Sequence, residues 1–200
     1  MSSKLPTVAI IGQANVGKSS LFNRLTRSRT AIVAREAGTT RDNVVGKVSY
    51  KRRNVDSVPS DDYSQFWLID TAGLKTAEDE FEATIQDQIA DASAAADVIL
   101  VTVDSTAYPS DADRQLAKKA LKSGKPVILI ANKADLKGSL SIDEFKRLGI
   151  KNIIKTSAEH SIGISELLDS IAELIPPATE TAPDDIIRVA LIGRPNVGKS

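Results

Sequence analysis

The chain has 200 residues, and its 26 Lys and Arg residues balance its 26 Asp and Glu residues to a formal net charge of zero. This balance argues against a protein that coats DNA or an anionic membrane surface. The sequence contains no cysteine, which excludes disulfides and thiolate metal sites. No apolar run approaches the roughly 18 residues of a membrane span, and no signal peptide is evident. We therefore expect a cytoplasmic monomer with no membrane partner.

Apolar runs rich in β-branched residues alternate with helical patterns along most of the chain. This alternation is typical of an α/β fold, in which helices cover both faces of a mostly parallel sheet. Two consecutive runs are joined by a polar stretch with no helical pattern, which predicts a hairpin and hence one antiparallel edge strand in a six-stranded sheet. We expect one domain over residues 1–175. The six runs are residues 8–11, 44–50, 66–69, 98–103, 127–131 and 153–156.

The first run leads into a segment that fits the pattern G-x-x-x-x-G-K-[ST], and a helical pattern follows it. Strand, glycine loop and helix together predict a phosphate-binding loop, or P-loop. Lys18 supplies a positive charge for the outer phosphates, and the Ser19 hydroxyl is placed to bind Mg²⁺. The expected nucleotide contacts of this segment are Gly12, Gln13, Ala14, Asn15, Val16, Gly17, Lys18, Ser19 and Ser20.

A second candidate segment is Asp70-Thr71-Ala72-Gly73, directly after the third apolar run. Asp70 is expected to hold Mg²⁺, and the backbone N–H of Gly73 to reach the γ-phosphate. Thr71, Ala72 and Leu74 complete the expected nucleotide contacts of this loop. Leu74 stands where many GTPases carry a glutamine that orients water, and an apolar side chain cannot do so.

Residues 24–43 are predicted to form a loop that contains Gly38-Thr39-Thr40. Thr40 is the candidate that closes over Mg²⁺ when a γ-phosphate is present, with Thr39 as the alternative. Lys18, Thr40, Gly73 and Asn15 form the expected catalytic set.

Asn132-Lys133-Ala134-Asp135 follows another apolar run, where open α/β sheets bind their ligands. A carboxylate at Asp135 can accept hydrogen bonds from N1–H and the 2-amino group of guanine, a pair of donors that adenine lacks. The pattern therefore favours GTP and GDP as ligands and disfavours an ATPase. Ser157 and Ala158, after the last run, are expected to approach the guanine carbonyl. His160, the only histidine, is interpreted as an exposed loop residue.

Residues 189–200 repeat residues 8–19 almost position for position. A repeat at the distance of one domain predicts the start of a second P-loop domain. The Pro-containing residues 176–188 read as a linker between the two.

With these motifs in order, the chain resembles the N-terminal GTPase domain of the Der (EngA) family, the bacterial tandem-GTPase ribosome-assembly factors. The resemblance covers about residues 5–175, and the second P-loop supports it. It implies a G-domain fold, GTP hydrolysis, and a regulatory role in biogenesis of the large ribosomal subunit. Ala14 departs from the family, which usually has proline there, as at Pro195 of the second copy.

Two questions remain open from the sequence. Because Leu74 cannot orient water, the chain is either a GTPase or a GTP-gated ribosome- or RNA-binding module with negligible hydrolysis. If it is a GTPase, another group must offset the transition-state charge. The amide oxygen of Asn15 is a suitable ligand for K⁺, and GTPases that the chain resembles use K⁺ at this position; Arg35 and Arg41 are the alternatives.

Overall fold

The computed structural model describes residues 5–27, 33–34, 44–51, 63–70 and 96–175. This part of the chain forms one mixed sheet with helices packed against it. The strands are β1 (Thr7–Gly12), β2 (Val33–Ala34), β3 (Val44–Lys51), β4 (Tyr63–Asp70), β5 (Val98–Asp104), β6 (Val127–Asn132) and β7 (Asn152–Lys155). The helices are α1 (Lys18–Arg27), α2 (Asp111–Lys122), a 3-10 helix (Ile142–Leu148) and α3 (Ile164–Leu174).

The strands lie in the order β2-β3-β4-β1-β5-β6-β7. Strand β1 pairs in parallel with both β4 and β5, and β6 and β7 continue the parallel set. Strands β3 and β4 form the predicted antiparallel hairpin, with Val44 opposite Asp70 and Lys51 opposite Tyr63. The six predicted strands are thus confirmed. Beyond them, the two-residue β2 pairs antiparallel to β3 and extends that edge of the sheet.

The core lies on both faces of the sheet. Every residue of β1 is buried, and alternate side chains belong to two separate hydrophobic clusters. Val8 and Ile10 pack in the cluster that includes residues of α1 and α3. Ala9 and Ile11 pack in the cluster that includes residues of α2 and the 3-10 helix. A strand covered on both faces needs apolar residues at every position, which explains the continuous apolar runs in the sequence.

Two local expectations differ from the structure. Residues 24–27 were predicted to start a loop, but α1 continues to Arg27 because Leu25 and Thr26 are buried, at 1% and 3% exposure. The segment Ser141-Ile142-Asp143-Glu144 has the capping pattern that begins an α-helix. The structure instead forms a 3-10 helix there, and the Ser141 side chain accepts a hydrogen bond from the Asp143 N–H. The sequence also has a helical pattern at Phe81, Ile85 and Ile89, which lies outside the described residues.

The five parallel strands bring their carboxyl ends to one edge of the sheet. The segments that follow β1, β4, β5, β6 and β7 therefore meet there, although they are far apart in sequence. Within the residues that the structure describes, no helix has the length and apolar character that crossing a membrane requires.

Candidate nucleotide-binding site

The P-loop leaves β1 at Gly12 and enters α1 at Lys18. The Lys18 ammonium donates to the backbone carbonyl of Gln13 across the loop, at 2.5 Å. Lys18 is only 7% exposed, and this burial lowers its pKa, while the nearby charge of Asp70 acts in the opposite direction. The loop thus forms a closed turn around a buried ammonium group, which is the charge arrangement that binds phosphate.

Close packing explains both glycines of the loop. A Cβ at Gly12 would lie 2.4 Å from the carbonyl oxygen of Thr102 on β5. Gly17 has φ +92°, and a Cβ there would lie 2.3 Å from the side-chain nitrogen of Asn132. Asn15 also has a positive φ, +63°, which asparagine tolerates better than most residues. Ala14 and Asn15 in the loop, and Ser20 in the first turn of α1, are exposed.

Ser19 and Asp70 come together from α1 and the end of β4. The Ser19 hydroxyl donates to the Asp70 carboxylate at 3.1 Å, and Asp70 is 2% exposed. A hydroxyl and a carboxylate beside a phosphate-binding loop are hard oxygen ligands of the kind that Mg²⁺ prefers. Within the described part of the chain, no group of three or more His, Cys, Asp or Glu side chains could hold a metal ion. The Ser19 hydroxyl and the Asp70 carboxylate therefore fit an ion whose other ligands are phosphate oxygens and water.

Asn132, at the end of β6, joins the P-loop to the segment after β7. Its side-chain nitrogen donates to the backbone carbonyl of Val16 at 3.0 Å. Its side-chain oxygen accepts from the Thr156 hydroxyl at 3.0 Å and from the Ala158 N–H at 3.2 Å. Asn132 is 2% exposed, so all three bonds lie in the interior. One side chain thus fixes the spacing between the two candidate loops.

Lys133 has φ +67° and pairs with Asp104, at the end of β5, at 2.6 Å. Burial opposes ionisation of Asp104, but hydrogen bonds from Lys133 and Thr106 outweigh it and hold the pKa of Asp104 below its ordinary value. Asp104 was not predicted as a site residue. The sequence pattern that could have identified it is the same as at Asp70, because Asp104 also stands at the end of an apolar strand.

Asp135 lies beside the segment that follows β7. The Ala134 N–H donates to the Thr156 carbonyl at 2.9 Å, which holds the two loops together. Hydrogen bonding by the Ser157 side chain lowers the pKa of Asp135, and the charge of a protonated His160 acts in the same direction. The His160 ring lies 3.4 Å from the Asp135 carboxylate, and the His160 side chain is 59% exposed, as expected for a loop histidine.

Two further contacts were missed by sequence reasoning. The Gln13 side chain donates to Ser110 and to Asp113, each at 2.7 Å. Ser110 and Asp113 form a capping box at the start of α2, and only that local pattern is visible in the sequence. On the other side of the P-loop, the Arg24 guanidinium donates to two backbone carbonyls in the segment after β7.

The structure brings the P-loop, Asp70, residues 132–135 and residues 157–158 to one edge of the sheet. The remaining predicted site residues lie outside the described residues; they are Thr40, Thr71, Ala72, Gly73 and Leu74. The predicted linker, residues 176–188, and the predicted second P-loop, residues 189–200, lie outside them as well.

Comparison with known protein families identifies this arrangement. Residues 7–133 match the family described as 50S ribosome-binding GTPase. The match spans well over half of the chain and contains the P-loop, Asp70 and Asn132. The chain belongs to the family of 50S ribosome-binding GTPases.

Relatives within this family support the resemblance to Der. The chain is 41% identical over 199 residues to GTPase Der of Gemmatimonas aurantiaca, and 42% identical over 205 residues to GTPase Der of Myxococcus xanthus. Each alignment covers 98% of the chain and 42% of the relative. The chain therefore spans less than half the length of the curated relatives that it matches.

Solved structures support the same fold. An Aquifex aeolicus Era variant bound to GDP·AlF4⁻ matches with a TM-score of 0.65 and 29% identity, over 94% of this chain and 62% of that one. The G domain of the T. maritima FeoB iron transporter matches with a TM-score of 0.59 and 26% identity, over 85% of this chain and 98% of that one. The P-loop GTPase fold predicted from the sequence is thereby confirmed.

Proposed function

We propose that the chain binds GTP with Mg²⁺, hydrolyses it to GDP and phosphate, and acts as a regulatory switch in biogenesis of the large ribosomal subunit. One observation carries the nucleotide part of this proposal. A phosphate-binding loop and a loop suited to guanine lie at the same sheet edge, and the bond from Asn132 to the Val16 carbonyl joins them. The family to which the chain belongs carries the ribosomal part.

At the phosphate end, Lys18 would exchange its bond to the Gln13 carbonyl for bonds to the β- and γ-phosphates. Its burial, at 7% exposure, keeps water away and strengthens the attraction. Ser19 and Asp70 would hold Mg²⁺, with Thr40 as the proposed third protein ligand, and the ion would neutralise charge that develops on the phosphates. Gly73 would offer its N–H to the γ-phosphate.

At the base end, Asp135 would accept hydrogen bonds from N1–H and the 2-amino group of guanine. The Asp135 carboxylate is ionised at neutral pH and accepts hydrogen bonds, and hydrogen bonding by the Ser157 side chain, which lowers its pKa, reinforces this state. Backbone N–H groups of residues 157–158 would approach the guanine carbonyl. Lys133, held by Asp104, would cover one face of the base.

The proposed source of transition-state charge is K⁺ bound by the Asn15 side chain. Asn15 is exposed, and it lies on the loop that leads into Lys18. A cation fixed there would face charge that develops between the β- and γ-phosphates, where preorganised charge is most effective. Arg35, Arg41 or a partner would supply that charge if K⁺ does not.

The proposed partner is the large ribosomal subunit, which the GTPase would approach in the cytoplasm as a monomer. One solved neighbour, Era with MgGDPNP and a segment of 16S ribosomal RNA, matches with a TM-score of 0.65 at 28% identity and supports contact with ribosomal RNA. The choice of the large subunit rests on the family match.

A second candidate function is a GTP-gated binding module with negligible hydrolysis. The sequence observation that favours it is Leu74, which stands directly after Gly73 where a water-orienting side chain is common. Multiple-turnover assays with purified protein separate the two functions. Phosphate release well above a Lys18→Ala background supports a GTPase, and release equal to that background supports the binding module.

Guanine recognition is tested by Asp135→Asn, with Asp143→Asn at an exposed position of the 3-10 helix as the matched control. The amide replaces an acceptor by a donor, so GDP affinity should fall at least about tenfold and xanthosine diphosphate should become the better ligand. The control should bind GDP as the unmodified chain does. Unchanged GDP affinity of Asp135→Asn in calorimetry would remove Asp135 from base recognition.

The K⁺ proposal is tested by turnover in KCl, NaCl and choline chloride at equal ionic strength. Hydrolysis should be fastest in KCl, and Asn15→Ala should abolish that advantage while GDP affinity stays close to that of the unmodified chain. Equal rates in the three salts would eliminate the cation from the mechanism.

A further inference from the structure

Arg24 connects α1 to the segment after β7. Its Nε donates to the carbonyl of Ala158 at 2.6 Å, and its Nη2 donates to the carbonyl of Glu159 at 2.6 Å. The partners are 134 and 135 residues away in sequence. A guanidinium group is planar, so bonds from two of its nitrogens to consecutive carbonyls fix both the position and the orientation of the segment.

The two carbonyls belong to the residues between Ser157 and His160, and both flanking residues face Asp135. The Ser157 side chain hydrogen-bonds to the carboxylate and lowers its pKa, and the His160 ring lies 3.4 Å from the carboxylate. Arg24 therefore holds the middle of a four-residue segment whose two ends contact the residue proposed to read guanine.

A hydrogen bond also joins the two ends of this segment. The peptide group that Arg24 holds through the Glu159 carbonyl carries the His160 N–H at its other side. That N–H donates to the Ser157 hydroxyl oxygen at 3.1 Å. Because the oxygen already accepts this bond, the hydroxyl hydrogen is available to point at Asp135.

The position of Arg24 on α1 also links this segment to the phosphate-binding groups. Helix α1 begins at Lys18, and Ser19 follows, so the same helix carries the phosphate-binding groups at its first turn and Arg24 further along. The interior connection through Asn132 reaches Val16 in the P-loop. Arg24 makes a separate connection between α1 and the segment after β7. This connection lies nearer the surface, because the hydrogen bond to Glu159 is exposed and the Arg24 side chain is half-buried.

We propose that Arg24 is a positioning residue for guanine recognition, which orients Asp135 by holding residues 157–160 against α1. This inference rests on the proposed role of Asp135 as the guanine-reading group. It adds that the affinity for the base depends on a residue of α1 that acts through the carbonyls of Ala158 and Glu159.

The test compares the affinities of GDP and inosine diphosphate, which lacks the 2-amino donor, for the unmodified chain and for Arg24→Met. If Asp135 is less well oriented, the bond to the 2-amino group weakens, so GDP affinity should fall about tenfold and inosine diphosphate affinity much less. The ratio of the two dissociation constants should therefore move towards one. A purely structural defect would lower both affinities by the same factor and leave the ratio unchanged.

Two further variants complete the comparison. Arg24→Lys keeps the charge but not the planar pair of donors, so its ratio should lie between those of the unmodified chain and Arg24→Met. Arg147→Met removes a guanidinium whose Nε also donates to a backbone carbonyl, that of Glu144 in the 3-10 helix, and should leave the ratio unchanged. If Arg24→Met fails to fold, the ratio for Arg24→Lys decides: an unchanged ratio overturns the proposal, and a reduced one supports it.

Failure of this inference is distinguishable from failure of the proposed function. Asp135→Asn, measured in the same assay, reports whether Asp135 reads guanine at all. A loss of GDP preference in Asp135→Asn together with an unchanged ratio in both Arg24 variants overturns the role of Arg24 alone. Unchanged preference in Asp135→Asn overturns the base-reading site and, with it, the inference about Arg24.

Discussion

Replacement of Asn132 by alanine is the sharpest test of how the two halves of the site are held together. The substitution removes three interior hydrogen bonds, to the Val16 carbonyl, the Thr156 hydroxyl and the Ala158 N–H, at 3.0, 3.0 and 3.2 Å. Their partners are 6%, 0% and 5% exposed, so water does not readily replace the lost bonds.

The expected loss follows from this geometry. A net contribution of about 1 kcal/mol for each of the three bonds gives about 3 kcal/mol of unfolding free energy. For a domain of this size, each kcal/mol corresponds to about 2–4 °C, so the melting temperature should fall by about 6–12 °C. GDP affinity should fall as well, because the P-loop and the base-binding loop lose their common side chain.

Thermal and urea unfolding of the nucleotide-free protein, followed by circular dichroism, measure this loss. Asn152→Ala on β7 is the matched control, because it removes the same atoms from a half-buried strand position that takes no part in these three bonds. An unfolding free energy of Asn132→Ala within about 1 kcal/mol of the control would refute the reasoning, since the three bonds would then contribute nothing in net terms.

Three further substitutions test separate parts of the site. Gly17→Ala places a Cβ 2.3 Å from the Asn132 side chain at φ +92°, so stability and GDP affinity should both fall, and a normal melting temperature would contradict this geometry. Ser19→Ala removes one proposed Mg²⁺ ligand, so GDP affinity should differ little between Mg²⁺ and EDTA, whereas retention of the full Mg²⁺ effect would eliminate Ser19 as a ligand. Asp104→Asn should destabilise the chain by less than about 1 kcal/mol at neutral pH, because solvent screens the pair. The folded-state pKa of Asp104 lies below its ordinary value of 3.8. The difference in unfolding free energy between Asp104→Asn and the unmodified chain, measured in urea, should therefore be largest above pH 3.8. It should disappear as the pH falls through the folded-state pKa of Asp104.

The sequence predicted the parts of the fold that depend on local pattern. The strands β1, β5 and β6 are buried on both faces, so they appear as uninterrupted apolar runs. Asp70 and Asn132 directly end such runs, and parallel pairing then places them at one edge. Strand β2 has only two residues, which is too short to produce a pattern of its own.

The contacts of Arg24 and Gln13 could not be predicted in this way. Their partners are 134 and 100 residues away, and nothing in the helical or strand periodicity indicates which side chains will meet across such distances. Residues 24–43 were predicted to form a loop, so Arg24 was not expected on α1. The burial of Thr26, whose hydroxyl donates to the Phe22 carbonyl at 2.8 Å, extends α1 past that point.

The two bonds from Gln13 to the first turn of α2 have a consequence for the dynamics of the chain. Since one amide group holds both Ser110 and Asp113, opening of that turn also releases the start of the P-loop. Regions coupled in this manner exchange their amide hydrogens as one cooperative unit. We therefore expect a ligand that stabilises the P-loop to slow exchange in the first turn of α2 as well, so that this turn reports nucleotide occupancy.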